Sequence, residues 1–179
     1  MRLNELTDAS ARAEALRIYN IIIARHRQEM SWLGQTPMEK QNLSEDSAFL
    51  NGMVALFRHA RGEAVPPIIV MDFTDALLKL MFCGLANNTM ALPPFKRMED
   101  KPWAIAWRLS ELRLGLEGEI EMDVPQLSHL LGESPKVIRE RLEERGISSS
   151  DVVPAVFLEE IYEAIKQSTN RNHSDLTRR

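Results

Sequence analysis

A chain of 179 residues that is 44% hydrophobic is long enough to bury a core of its own, and its 6% aromatic content favours packed helices over an aromatic-rich β-sandwich. The 26 acidic side chains outnumber the 22 basic ones, giving a formal net charge of −4, which excludes bulk attraction to a polyanion; any nucleic-acid contact needs a local basic face. A single cysteine, Cys83, excludes an intramolecular disulfide and a multi-thiolate zinc site, and fits a reducing compartment.

The N-terminus turns acidic at Glu5 before any apolar run, and no stretch reaches the roughly 20 apolar residues of a membrane span. No membrane contact is expected, and the setting expected is cytoplasmic. Thr7 or Asp8 can cap a first helix in which Ala15, Leu16, Tyr19, Ile22, Ile23, His26, Met30 and Leu33 recur at helical steps before Gly34. Ser44 opens a second helix, with Glu45 and Asp46 in its first turn, a buried stripe of Phe49, Met53, Leu56, Phe57 and Ala60, and Gly62 at its close. The run Ile68 to Met71 reads as extended backbone, and Asp72 as the cap of a third helix reaching Ala86. That helix is apolar nearly all round, which places it in the middle of a bundle or at a homodimer interface. Cys83 within it reads as a buried small hydrophobe.

Asn87 to Lys101 has loop chemistry and makes the best domain boundary. Asp100 and Pro102 start a fourth helix carrying Trp103, Trp107, Leu109 and Leu112, which ends at Gly115; the two tryptophans read as core, or as the wall of a small-molecule pocket. Gly115 to Asp123 alternates as a short half-buried strand would, with Glu119, Glu121 and Asp123 on one face; a solvated edge explains them more simply than a divalent metal.

The segment from Gln126 to Leu142 carries the strongest functional signal. Asp123 caps a helix with the stripe Leu127, Leu130 and Leu131, Gly132 supplies a left-handed turn, and Ser134 with Pro135 starts a second helix anchored by Ile138 and Leu142. Ser148 to Asp151 then caps a further helix with Phe157, Leu158, Ile161, Tyr162 and Ile165 on one side, where a winged helix would show a hairpin. After Gln167 apolar periodicity ends and a disordered tail is expected.

Gln126 to Leu142 resembles the helix-turn-helix of bacterial DNA-binding regulators, over about a tenth of the chain. The resemblance implies a reading helix from Pro135 in the major groove, with Ser134, Lys136, Arg139 and Glu140 near base edges and Arg141 or Arg145 near phosphates. Glu133, Glu140, Glu143 and Glu144 place carboxylates on or beside that face. A second basic constellation joins Arg25 and Arg27 to Arg58, His59 and Arg61, each set near the end of a predicted helix. Helix-end cations have a general stabilising role, and if the two ends meet they make an anion patch.

The fold expected is all-α: an N-terminal helical bundle over 1–90, a helix-turn-helix module plus C-terminal helix over 100–167, and a tail over 168–179. The function expected is a DNA-binding transcriptional regulator, a homodimer presenting two reading helices about 34 Å apart. The alternative is a protein-binding adaptor, chaperone or inhibitor that uses the helical module as a docking face. No catalytic residue, metal or cofactor is expected, because no phosphate loop, zinc-protease helix or nucleophile elbow occurs.

Overall fold

The computed structural model describes residues 6–36, 42–82, 101–147 and 152–171. These form an all-helical protein: α1 (Asp8–Trp32), α2 (Ala48–Ala60), α3 (Pro67–Phe82), α4 (Pro102–Leu116), α5 (Val124–Leu131), α6 (Pro135–Glu144) and α7 (Ala155–Arg171). Among them no helix is long and apolar enough to cross a membrane. Cys83 and the Asn87 to Asp100 loop lie outside the described residues, as do Ser148 to Asp151 and the tail beyond Arg171.

α4 is the centre of the fold. Nine of its residues are buried, from Trp103 to Leu114, and it packs against α1, α2, α3 and α7. Ala104 and Ala106 present little side chain and let neighbours approach, while Trp103 and Trp107 stack with ring centroids 6.2 Å apart. The buried apolar residues of both halves of the chain form one cluster, so α2 and α4 share a core. Fully buried Phe57 on α2 contributes on the order of 3 kcal/mol by its own burial.

Of the two places expected for α3, the middle of a bundle or a homodimer interface, the first is corrected: α3 is an edge helix of this fold. Val70, Phe73, Leu77 and Leu78 face inward, while Ile68, Ile69 and Leu80 are exposed. The expectation of extended backbone over Ile68 to Met71 is also corrected: the helix begins at Pro67, and the Pro66 carbonyl accepts from Ile69 N–H at 3.1 Å. The three β-branched residues have no partner strand, so only a helix satisfies their backbone groups, and Val70 then continues the stripe of Phe73 and Leu77. α3 crosses α2 at Gly52, where a Cβ would stand 2.1 Å from the Phe73 ring; hydrogen alone fits there.

Other boundaries shift for local reasons. Thr7 caps α1 in a reciprocal box with Ser10, but the buried positions are Ala11, Glu14, Ala15 and Ile18, and Leu16 and Leu33 are exposed. At 25 residues α1 is about 37 Å long, nearly twice the length of α2, so its early turns are the ones covered. Ser47 rather than Ser44 caps α2. Lys101 stands at the N-cap of α4 without a side-chain cap, so Asp100 does not fill that role, and α4 runs past Gly115 to Leu116. Gly118, with φ of +75°, then turns the chain, so no strand aligns Glu119, Glu121 and Asp123; a lone bridge joins Asp123 to Val152. α7 begins at Ala155 and continues four residues into the expected tail, with Phe157, Leu158 and Tyr162 buried as its stripe requires.

Candidate functional site

α5 and α6 are joined by a tight turn in which Gly132 adopts φ of +67°, a conformation that a Cβ disfavours. Asp123 and Gln126 form a capping box at the start of α5, and Ser134 accepts from Val137 N–H at the start of α6. The Ser128 hydroxyl donates to the Glu133 carbonyl and ties the turn to α5. α6 is held by Ile138 and Leu142, both fully buried, and the rest of its surface faces outward.

The charged residues on that surface divide into two groups. Lys136 is 84% exposed and lies 3.7 Å from Glu140, a weak solvent-screened pair, and Arg139 is exposed with no ion pair among the described residues. Ser134 and Glu140 are also exposed. Arg141 and Arg145, in contrast, are engaged by the chain itself. Arg141 makes two 2.9 Å contacts to the two oxygens of Glu133. Arg145 binds Glu160 on α7 at 2.8 Å and lies 5.2 Å above the Phe157 ring. Over Glu133 to Arg145 carboxylates and cations are equal in number, so the helix presents no net positive face.

The anion patch is not assembled. α1 and α2 run antiparallel, so Arg58 and Arg61 meet Asp8 at the beginning of α1, while Arg25 reaches the Met81 carbonyl on α3 at 2.7 Å. Arg27 is exposed at that far end of α1. Seventeen helical steps separate Asp8 from Arg25, about 25 Å. Asp8 takes up the charge of Arg58 and Arg61, and its carboxyl is held below the ordinary range chiefly by the hydrogen bond from Arg58.

His59, the fifth residue of that expected patch, is fully buried and organises a different structure. Its Nδ1 lies 3.0 Å from the Ser110 hydroxyl and its Nε2 3.4 Å from Glu117. Burial pushes its pKa below the usual 6.5, against the hydrogen bond to Glu117, so the ring is neutral. The Ser110 hydroxyl has one proton and two acceptors within reach, His59 Nδ1 and the Leu56 carbonyl at 3.2 Å, so the tautomer of the neutral ring is set by which of the two it serves. Arg113 binds the other Glu117 oxygen at 2.5 Å and donates to the carbonyls of His59 and Glu63, and Tyr162 donates to the Ala60 carbonyl. These groups satisfy the C-terminal carbonyls of α2 from α4 and α7. Ser, His and Glu stand in a row that joins α2 to α4, with Ser110 and His59 fully buried.

The separation of His59 from Ser110 and Glu117 by more than fifty residues hid this network from sequence reading. Glu111 was also overlooked. Its signal is visible in retrospect: it is the one acid of α4, a helix otherwise buried nearly all round. Among the described residues no group of His, Cys, Asp and Glu converges as a metal site requires. Compared with known proteins, the chain matches no family model, no curated protein and no solved structure.

Proposed function

We propose that α5, the Gly132 turn and α6 form a protein-docking module, with the outward face of α6 as the contact surface. The carrying observation is the internal use of the two arginines suited to phosphate: Glu133 holds Arg141 and Glu160 holds Arg145. Phosphate neutralisation supplies most non-specific affinity for DNA, and a helix with balanced charge has little of it to offer. What remains outside is a mixed surface of Lys136, Val137, Arg139, Glu140 and Glu144, suited to a protein partner of complementary, alternating charge. A cytoplasmic setting belongs to this reading.

A second reading, a DNA-binding regulator acting as a homodimer, rests on a specific observation. Lys136 and Arg139 are exposed in the first half of α6, where a reading helix approaches base edges. One experiment separates the two: a mobility-shift titration of the full chain against mixed-sequence duplex DNA at low salt, beside crosslinking in cells. Docking predicts no shift, and a specific crosslinked protein that Val137→Asp abolishes. DNA affinity that falls steeply with salt, and falls again in Arg139→Ala, overturns docking and supports the regulator.

A further inference from the structure

α3 carries an exposed apolar edge as well as a buried one. Ile68, Ile69 and Leu80 are 60%, 47% and 45% exposed, and Ala76 is exposed between them. Ile69, Ala76 and Leu80 stand seven and four residues apart, so they follow one another along one side of the helix for about 17 Å. The exposed apolar residues of α1 do not align in this way. Leu16 and Ile21 stand five apart, on different faces, and Trp32 and Leu33 lie where the helix ends. A continuous apolar edge in water marks a contact surface, whereas scattered single residues do not.

The charges beside this edge are Asp72, Asp75 and Lys79, the only ones on α3. Lys79 meets Asp75 at 2.5 Å with both side chains 62% exposed, a pair that water screens and that is worth little. Asp72 is exposed and has no ion pair among the described residues. The acids precede the base along the exposed face, and apolar residues stand at both ends of it. A face ordered in this way is complementary to itself when turned end to end. A twofold axis near the middle of α3 brings Ile68 and Ile69 of one copy to Leu80 of the other, and sets Asp72 over Ala76, whose small side chain admits close approach. Asp72 and Lys79, seven apart on one row of the helix, then come within reach of each other across the axis, once on each side of it.

We propose that α3 is the contact of a twofold homodimer, packed antiparallel against α3 of a second copy. The order of charges selects the occupant and the direction. A face of one sign would repel its own copy, and a parallel pairing would set each aspartate against its counterpart. One helix pair covers less than the roughly 800 Å² per partner of a standard interface, so the dimer is a weak one that dissociates at micromolar concentration or above. α3 lies outside the α5–α6 module, so this contact stands or falls apart from the docking reading.

Sedimentation equilibrium of the full-length protein from micromolar to millimolar concentration tests the proposal, with circular dichroism as the check that each variant folds. The wild-type protein is expected to form a dimer and nothing larger. Leu80→Asp, at a position exposed in the monomer, should keep its helical content and associate about tenfold or more weakly. Asp72→Lys alone sets two lysines against each other and Lys79→Asp alone two aspartates, so each should also dimerise about tenfold or more weakly. An equimolar mixture of these two variants should recover wild-type association as a heterodimer, because each chain supplies the charge that the other lacks. A monomeric wild-type protein, a dimer that Leu80→Asp leaves intact, or a mixture that associates no better than its separate components overturns the proposal.

Discussion

Two polar clusters lie on adjoining faces of α4, and they differ in how completely the protein satisfies them. Around His59, hydrogen bonds arrive from α4 and α7, and each ring nitrogen has a neighbour. Around Glu111, a carboxyl has one hydrogen bond and His129 Nε2 has none among the described residues, beside a cavity. The first arrangement stabilises helix ends; the second leaves buried polar groups with part of their desolvation uncompensated. Polarity inside a helical core is therefore not one phenomenon, and the number of partners separates the two arrangements.

The comparison breaks most directly through stability. His59→Ala should cost about 2–5 kcal/mol in urea unfolding, because it opens a cavity and removes the ring that joins Ser110 to Glu117. Loss of less than about 1 kcal/mol would mean that the network binds nothing together. Glu111→Gln should leave stability at neutral pH unchanged or raise it, by up to about 1 kcal/mol, because burial disfavours the carboxylate. A large loss there would place Glu111 with the structural residues.

The smallest effect is in the pH dependence, and the two clusters have opposite signs. His59 has a lowered pKa in the fold, so between that value and 6.5 the unfolded chain binds the proton and the native chain does not. Its contribution is complete above 6.5 and is lost as pH falls. Glu111 has a raised pKa, so its contribution is complete below 4.5 and is lost as pH rises through the folded value. The Glu111 slope starts at 4.5 and runs upward and the His59 slope ends at 6.5, and the two have opposite signs. Urea midpoints across that window should fall with rising pH in His59→Gln, where only the Glu111 slope remains, and rise with pH in Glu111→Gln. Parallel profiles in the two variants would contradict the opposite shifts. Asp8, lowered chiefly by Arg58, acts below 3.8 and leaves this window undisturbed.

The α6 surface adds a lesson about charge. Sequence reading placed Arg141 and Arg145 near phosphate because they follow the helix start at suitable spacing. Glu133 lies eight residues from Arg141 and Glu160 fifteen from Arg145, beyond the three- and four-residue steps along one helix at which sequence reading finds ion pairs. The turn and the return of α7 bring them together. The anion patch dissolved for a similar reason, since two helix ends of like charge are separated once the helices pack antiparallel.

What the sequence determined by itself was local: an all-helical chain, the caps Thr7, Asp123 and Ser134, the left-handed Gly132, and Ile138 and Leu142 as the anchors of α6. Each depends on interactions within about one turn of helix, and those are written in consecutive residues. Only the tertiary structure decided that α4 and not α3 is central, that Ile68 to Met71 is helical, that His59 is buried and neutral, and that Glu111 and His129 share a cavity. Hydrophobicity says that a face must be covered but not by which helix, and a titratable group takes its charge state from neighbours that only folding brings to it.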